Sequence, residues 1–293
     1  MALRTKISER QRRLGAELRR IRENGGVSTN DAAAATGLRA SFLSNIEAGR
    51  TAIATERLRN LCEHYGSIST PHLEALVAMS ESSGKGWWSA YQERVTRHAL
   101  NLAELEACSV HLCSYEPLLI PGLFQTEEYI RALFGDVKPK HATTEDAIAF
   151  RLERQRILVG ENAPAVHAVI HEAALHMQYG GPSVTRRQLL HLIELSRLPN
   201  VTIQVFPFRA RTFLGVSTPF LYMRPPVEEL ATVVLEHPNE PIYRDALAHL
   251  SQYRVLFDRL KESALPPITP STTTEAQAVP SSLLLIQHLL YDF

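Results

Sequence analysis

The chain has 293 residues, of which 45% are hydrophobic and 21% are charged, and its formal net charge is zero. This composition is typical of a globular protein, and at roughly 100–200 residues per domain the length predicts two domains. It excludes a fibrous or wholly disordered chain, and because no run approaches ~18 consecutive apolar residues, we expect no membrane span.

The N-terminal residues and the cysteines bear on location. Charged residues begin at Arg4 and Lys6, before the apolar segment of a signal peptide can form. Three cysteines are too few for a disulfide framework in a chain of this length. We therefore expect a reduced, cytoplasmic, bacterial-type protein that does not associate with membranes.

The charge is unevenly distributed along the chain. Residues 1–64 contain 12 basic and seven acidic side chains, a net charge of +5, and the remainder carries −5. A basic segment on an acidic body is typical of a protein that meets a polyanion through one domain. A solvated arginine-rich helix explains the same charge, so both interpretations stay open at this point.

The N-terminal part of the chain predicts five helices, and their ends carry clear signals. Leu14, Leu18 and Ile21 have helical spacing, and Ser28 can cap the second helix. Gly37 separates the second helix from the third, which is typical of a helix-turn-helix, although a plain helical hairpin has the same pattern. The predicted helices span residues 8–24, 29–36, 40–48, 55–65 and 71–79.

The third predicted helix lies in the segment 37–53, GLRASFLSNIEAGRTAI. Its spacing predicts that Leu38, Leu43 and Ile46 are buried. The residues expected to face outward are Ala40, Ser41, Ser44 and Asn45.

The order of residues in this segment resembles the recognition segment of the phage-repressor-like (XRE, or lambda-repressor-type) helix-turn-helix family, and the likeness covers about residues 8–80. It implies that the third helix enters the major groove of double-stranded DNA. The chain departs from the family at Thr29, where the family usually has a longer Gln that bonds a phosphate. The residues that the resemblance places at DNA are Thr29, Arg39, Ala40, Ser41, Phe42, Ser44, Asn45 and Arg50.

Base recognition is expected to depend on few side chains. Ala40 offers only a methyl group, which suits a thymine methyl but forms no hydrogen bond. We expect Ser41 and Asn45 to contribute, since Asn can bond adenine in a bidentate manner, together with readout of DNA shape. The resemblance also implies an ion pair between Arg22 and Glu47 that joins the first helix to the third; the alternative is a loose surface pair worth less than ~1 kcal/mol.

The second part of the chain alternates between strand and helix patterns, which predicts a mixed α/β domain. Arginines and acids at helical spacing over residues 145–161 predict a solvated, salt-bridged face. The predicted strands span residues 108–115, 165–170, 201–206, 220–223 and 232–235. The predicted helices span residues 127–134, 144–158, 172–179, 183–197 and 243–261.

Many short segments of this part resemble a domain of unknown function that is fused to helix-turn-helix domains in actinobacterial regulators of development and secondary metabolism. The resemblance implies a small partner protein encoded nearby, but it implies no chemistry. The segments that carry it are Trp87–Trp88, 105–107, 120–126, Glu128–Tyr129, 151–156, 170–175, Gly180–Gly181, Gln188–Leu189, 199–205 and Glu236.

The end of the chain departs from that family. Residues 266–282 are rich in Pro, Ser and Thr, which predicts a flexible linker. The apolar segment 283–291 that follows is expected to dock, either on its own domain or on a second subunit, and a frayed terminus is the alternative.

Few residues suggest catalysis or metal binding. His171 and His176 are five residues apart rather than the four of a zinc-protease helix. Cys108, His111 and Cys113 are expected to include buried free thiols rather than metal ligands. We find no phosphate loop or nucleophile motif and expect no enzyme activity, no metal and no cofactor.

One segment of the second domain leaves two interpretations open. Its turn and helix-capping residues form either a ligand or partner surface or a structural corner that positions the next helix. The residues concerned are Pro121, Gly122, Gln125 and Thr126.

Together these features predict an α plus α/β protein with three regions. They are a five-helix helix-turn-helix domain over 1–82, a mixed α/β regulatory or partner-binding domain over 86–264, and the linker and apolar segment over 265–293. We expect a homodimeric transcription regulator that responds to a ligand or to a small partner protein, since sites in this class are usually palindromes read by dimers. The alternatives are an antitoxin-like protein that sequesters a small neighbour and regulates its own operon, and an enzyme joined to a DNA-binding domain.

Overall fold

A computed structural model of the chain describes residues 4, 6–66, 68–136, 143–211, 215, 217–237, 240–269 and 280–293. The chain divides into two compact units. The first comprises Met1–Ala90, Asn101–Leu105 and Val227–Leu230, and the second comprises Tyr91–Leu100, Glu106–Pro226 and Ala231–Phe293. The first unit therefore includes two short segments from beyond residue 82.

The first unit contains the five predicted helices, which begin at serine caps in three cases. They are α1 (Glu9–Asn24), α2 (Thr29–Ala35), α3 (Ala40–Glu47), α4 (Thr55–Tyr65) and α5 (Thr70–Glu81). Ser8, Ser28 and Ser69 each accept a hydrogen bond from a backbone N–H in the first turn of the helix that follows. These short-range bonds explain why the sequence predicts the starts of these helices well.

The helices of the first unit pack around one apolar core. Leu18, Leu43, Leu58, Leu61 and Leu76 are completely buried in it. Helix α1 contacts α3, α4 and α5, so it lies at the centre of the unit. Burying each such leucine stabilises the fold by about 1.5–3 kcal/mol relative to exposure.

The second unit is built on a mixed sheet, and the predicted α/β architecture is confirmed. The described residues form six strands in the order β3-β2-β1-β4-β5-β6. Strands β1, β2 and β3 are parallel, whereas β4, β5 and β6 join the sheet in antiparallel pairs. The strands are β1 (His111–Glu116), β2 (Ala165–His171), β3 (Val201–Phe206), β4 (Phe220–Arg224), β5 (Thr232–Leu235) and β6 (Ile242–Arg244).

Helices connect and cover these strands. Helix α6 (Arg97–Ala107), which the sequence did not predict, precedes β1, and α7 (Glu127–Asp136) and α8 (Thr144–Gln155) connect β1 to β2. Helices α9 (Glu172–His176) and α10 (Pro182–Leu195) connect β2 to β3. Helix α11 (Leu247–Ser263) packs on β3 and β5.

The predicted helix over 243–261 is wrong at its start. Ile242 pairs with Leu235 and Arg244 pairs with Val233, so this segment forms the edge strand β6. Helix α11 therefore begins at Leu247. The ladder of β5 supplies backbone partners that the local pattern of the segment does not reveal.

The C-terminal apolar segment docks on its own unit. Helix α12 (Ser282–Leu289) packs against β3 and α9, with Ile286 and Leu289 buried. The Val205 N–H donates to the Ser282 hydroxyl at 2.9 Å, which covers part of the free edge of β3. Of the predicted linker, residues 270–279 lie outside the described residues.

Candidate nucleic-acid interface

The turn between α2 and α3 depends on a glycine. Gly37 has a φ of +65°, a conformation that L side chains rarely adopt. No atom lies within 4 Å of a Cβ built on it, so the requirement is conformational rather than steric. The Leu38 N–H donates to the Ala33 carbonyl oxygen at 2.8 Å, which joins the end of α2 to the start of α3. The pair of helices has the arrangement of a helix-turn-helix.

Helix α3 has a buried face and an outward face. Leu43 and Ile46 are buried, whereas Ser41 and Ser44 are exposed. Asn45 is partly exposed, and its side-chain amide donates to the Ser41 carbonyl oxygen at 2.9 Å. Because that bond lies within its own helix, binding to adenine requires the Asn45 side chain to exchange this bond for one to DNA.

Other residues assigned to DNA by the resemblance are less exposed. Ala40 and Phe42 are partly buried and pack against the core. The same is true of Leu38, which the helical spacing predicts to be buried. Thr29, at the start of α2, is also partly buried. These residues border the outward face of α3 rather than forming its most exposed part.

The arginines of α1 are neutralised by carboxylates, which bears on the open question about the basic segment. Arg39 and Arg50 are different: both are exposed, and the described part of the chain gives neither an acidic partner. They lie at the two ends of α3, so unpaired positive charge is placed beside that helix. The α1 ion pairs are Arg10–Glu104, Arg12–Glu9, Arg13–Glu17, Arg19–Glu23, Arg20–Glu17 and Arg22–Glu47.

The Arg22–Glu47 pair has the buried form expected from the resemblance. The Arg22 Nε and Nη2 atoms donate to the two Glu47 carboxylate oxygens at 2.6 and 3.0 Å. Both side chains are less than a tenth exposed, at 8% and 6%. The hydrogen bonds to Glu47 raise the pKa of Arg22 above its usual value although burial opposes this. The pair fastens α3 to α1.

A second buried network was missed by sequence reasoning. Glu17 is fully buried, and its carboxylate accepts from Arg13 at 2.9 Å and from Arg20. His72 Nε2 lies 3.0 Å from Glu17 Oε1. Burial opposes ionisation of this carboxyl, yet His72, Arg20 and Arg13 beside it lower its pKa to about 2. The signal in the sequence was Arg and Glu at three- and four-residue spacing around Leu18.

In the second unit, the segment from Pro121 to Thr126 uses its polar groups internally. The Gln125 amide donates to the Ile120 carbonyl oxygen at 2.7 Å and accepts from Arg151 at 2.8 Å. The Thr126 N–H donates to the Gln188 side chain at 2.7 Å. Pro121 and Gln125 are buried and Gly122 is partly buried. These contacts favour the structural corner over a free ligand surface.

The cysteines differ from expectation in one case. Cys113 is partly buried and burial raises its pKa to about 11, but Cys108 is exposed. The expectation of a buried thiol is wrong for Cys108 because it lies beyond the end of α6, before β1 begins. Across the described ranges, no three His, Cys, Asp or Glu side chains are placed to hold a metal ion.

The solvated face expected over residues 145–161 is also wrong in part. Arg154 donates to both carboxylate oxygens of Glu106 at 2.6 Å, and the Glu106 side chain is fully buried. Helix α8 therefore directs some of its charges into the unit. The partner Glu106 is 48 residues away in the chain, so helical spacing alone does not predict the pair.

The fold and the α2–α3 arrangement define a helix-turn-helix protein with an attached mixed α/β domain. A model described as a helix-turn-helix domain matches residues 13–76. A model described as a domain of unknown function (DUF5753) matches residues 99–272, more than half of the chain, and the protein belongs to that family. No curated protein and no solved structure matches the chain. Within the described ranges, no helix has the length and apolarity to cross a membrane.

Proposed function

We propose that the protein is a transcription regulator that reads a specific DNA sequence through α3. The single observation that carries this proposal is the position of Arg39 and Arg50, two exposed guanidinium groups without acidic partners in the described chain, at the ends of a helix whose outward face is polar. Arginines in such positions bind backbone phosphates, while Ser41 and Asn45 are placed to meet base edges.

The proposal extends to assembly and control. A single helix-turn-helix offers few contacts, so the regulator acts as a homodimer on a palindromic site in the cytoplasm. The second unit carries the dimer contacts and responds to a ligand or to a small partner protein encoded nearby, without being an enzyme. Such a signal changes DNA affinity only if it binds the two dimer geometries with different affinity.

The test is fluorescence anisotropy of the purified protein on the DNA upstream of its own gene, with a scrambled duplex as control, across a salt series. We expect tighter binding to the upstream DNA that persists near physiological salt. Equal binding to both duplexes, or none, contradicts an autonomous sequence reader. In that case, co-purification with the product of a neighbouring gene in a fixed ratio supports the sequestration alternative.

Two substitutions separate base reading from phosphate binding. Asn45→Ala is expected to reduce discrimination at one base position by ~1–3 kcal/mol. Arg50→Ala is expected to weaken binding to all sequences alike and to reduce the salt slope by about one.

The matched control is Arg19→Ala, which also removes an exposed arginine, but one that is paired with Glu23 at 2.7 Å. We expect its affinity and salt slope to equal those of the unsubstituted protein. If Asn45→Ala affects cognate and scrambled DNA equally, Asn45 is not a base reader. If Arg19→Ala and Arg50→Ala have the same effect, the position of Arg50 has no special role.

A further inference from the structure

Two glutamates of the second unit lie at the end of the sheet where strands β1 and β5 finish. Glu116 is the last residue of β1, and Glu236 follows directly after β5. Tyr115, Phe220 and Leu235 form one row across β1, β4 and β5, and both glutamates lie one residue beyond that row. Side chains alternate along a strand, so the glutamates project away from the face on which Tyr115 and Leu235 pack in the core.

Two arginines of α8 complete a cluster with these acids. Arg151 and Arg154 are three residues apart, so they share one face of the helix. Both interact electrostatically with Glu116 and with Glu236. We call Glu116, Arg151, Arg154 and Glu236 the edge cluster. Its four charged side chains come from three elements that are distant in sequence.

Two members of the edge cluster have partners outside it. Arg154 is held by Glu106 through two bonds of 2.6 Å. Glu236 Oε1 lies 3.4 Å from His98 Nε2, and His98 Nδ1 lies 2.7 Å from the Tyr243 hydroxyl oxygen. These two groups are therefore fixed in position before any ligand arrives.

The other two members, Arg151 and Glu116, lack charged partners. Arg151 donates one bond to Gln125, and its guanidinium carbon lies 4.8 Å above the Phe134 ring, but no carboxylate of the described residues lies within 4.0 Å of it. The Glu116 carboxyl has no hydrogen bond or ion pair with any described residue. Within the edge cluster, the Glu116 carboxyl and the Arg151 guanidinium therefore do not pair with each other.

The environment opposes the charged form of both groups. Burial and the negative charge of Glu236 raise the pKa of Glu116 to about 8. Burial and the positive charge of Arg154 lower the pKa of Arg151 to about 10. An arriving cation therefore stabilises the ionised form of Glu116, and an arriving anion stabilises the charged form of Arg151.

The position in the sheet also favours ligand binding. From β1 the chain proceeds to β2 and then β3 on one side, and then returns to β4 on the other side of β1. In open parallel sheets, ligands bind outside the carboxyl ends of strands at such a reversal. Here β4 is antiparallel to β1, so at the reversal only β1 presents its carboxyl end. Glu116 occupies that end of β1, and the Glu236 side chain is 55% exposed, so this member of the edge cluster is open to solvent.

We propose that the edge cluster binds a small zwitterion that carries a carboxylate and a primary amine, such as an amino acid. The ligand carboxylate pairs with Arg151, and its ammonium group lies between Glu116 and Glu236. An anion alone would face two glutamates, and a cation alone would leave Arg151 unpaired. This inference deepens the proposed function, since it identifies the ligand class to which the second unit responds.

The test uses the full chain without DNA, so that it does not depend on the DNA-binding proposal. Each of the twenty protein amino acids is screened by thermal shift, with n-butylamine and propionate as ligands that carry one of the two charges. Compounds that bind are then measured by calorimetry in two buffers of different ionisation enthalpy at pH 7. We expect at least one amino acid to raise Tm and to release protons on binding, because its ammonium group favours ionised Glu116.

Variants locate the binding in the edge cluster. Arg151→Gln and Glu116→Gln are each expected to weaken binding at least tenfold. The control Arg156→Gln removes an arginine of the same segment whose side chain is 74% exposed, and it is expected to bind normally. Glu116→Gln without ligand is expected to have a Tm equal to or above that of the unsubstituted protein, since it removes an unpaired acid.

Several results overturn the inference. They are the absence of binding by all twenty amino acids, unchanged binding by Arg151→Gln, binding of propionate or n-butylamine as tightly as the amino acid, and a lowered Tm of ligand-free Glu116→Gln. None of these results affects the anisotropy on upstream DNA, so failure of this site and failure of the DNA-binding proposal are distinguishable.

Discussion

Individual residues hold α1 and α3 at a short distance from each other. A Cβ built on Gly15 of α1 lies 2.4 Å from the Glu47 carbonyl oxygen at the end of α3, closer than real Cβ contacts. Glu47 also forms the buried ion pair with Arg22 of α1. A side chain at position 15 therefore disturbs the placement of α3 sterically. Loss of the charge at position 22 disturbs it electrostatically.

Gly15→Ala is expected to destabilise the first unit by ~1–3 kcal/mol, because the added methyl group forces the two helices apart. The measurement is urea unfolding followed by circular dichroism. Gly135→Ala is the control, since Gly135 lies in α7 and nothing lies within 4 Å of its built Cβ. There we expect a gain of up to about 1 kcal/mol from helix propensity. Equal effects of the two substitutions would disprove the steric explanation.

Arg22→Met is expected to cost ~3–5 kcal/mol, because it leaves the buried Glu47 carboxylate without its cation. Arg19→Met breaks an exposed pair on the same helix, whose side chains are 63% and 50% exposed. Its expected cost is below ~1 kcal/mol. Both are measured as free energies of unfolding. Similar costs for the two variants would show that the Arg22–Glu47 pair acts as an ordinary surface pair.

At the scale of elements, α12 and the edge strand β3 depend on each other. The outward backbone groups of β3 are bonded by Leu265 and Ile268 at 2.9 Å each, and by the Ser282 hydroxyl. Strand edges with free backbone groups invite pairing with other chains, so this cover protects the sheet from such pairing. The family match ends at residue 272, so α12 lies beyond it.

Deletion of residues 280–293 is expected to lower Tm without changing the oligomeric state measured by sedimentation, because Ile286 and Leu289 are buried on their own chain. Each contributes about 1.5–3 kcal/mol. Ile286→Ala is expected to lose ~2–5 kcal/mol, whereas the exposed neighbour Gln287→Ala is a near-neutral control. A changed oligomeric state after the deletion would instead place α12 in a subunit interface.

At the scale of the whole molecule, pH acts on the two units in opposite directions. Glu17 in the first unit has a folded-state pKa of about 2, below its usual value of 4.5. The stabilisation of the folded state by ionised Glu17 is therefore present above pH ~4.5 and is lost as the pH falls toward 2. Glu116 in the second unit has a folded-state pKa of about 8, so its effect on stability becomes unfavourable as the pH rises from 4.5 to 8.

We expect the stability of the first unit to fall by about 3 kcal/mol in acid through Glu17, at 1.36 kcal/mol per pKa unit. Urea unfolding at a series of pH values measures this. Glu17→Gln should flatten the acid side of the profile, and Glu116→Gln should remove the decline between pH 4.5 and 8. An unchanged acid side in Glu17→Gln would show that other carboxyls control acid unfolding.

The sequence by itself determined the helix-turn-helix, the caps of α1, α2 and α5, the alternation of strands and helices, and the family of the second domain. These features depend on residues that are near neighbours in the chain, such as Ser28 with Asp31 or Gly37 between two short helices. Their periodicity and turn conformations are therefore readable without the fold.

Only the tertiary structure decided which charges are neutralised and which remain available. The Arg154–Glu106 pair, the edge cluster, the strand β6 and the docking of α12 all join residues far apart in the chain. Which residues pair depends on how the elements pack, because the same arginine-rich pattern is compatible with a solvated helix and with a buried ion pair. The physical reason is that local spacing specifies a helix face, but burial and charge pairing depend on what packs against that face.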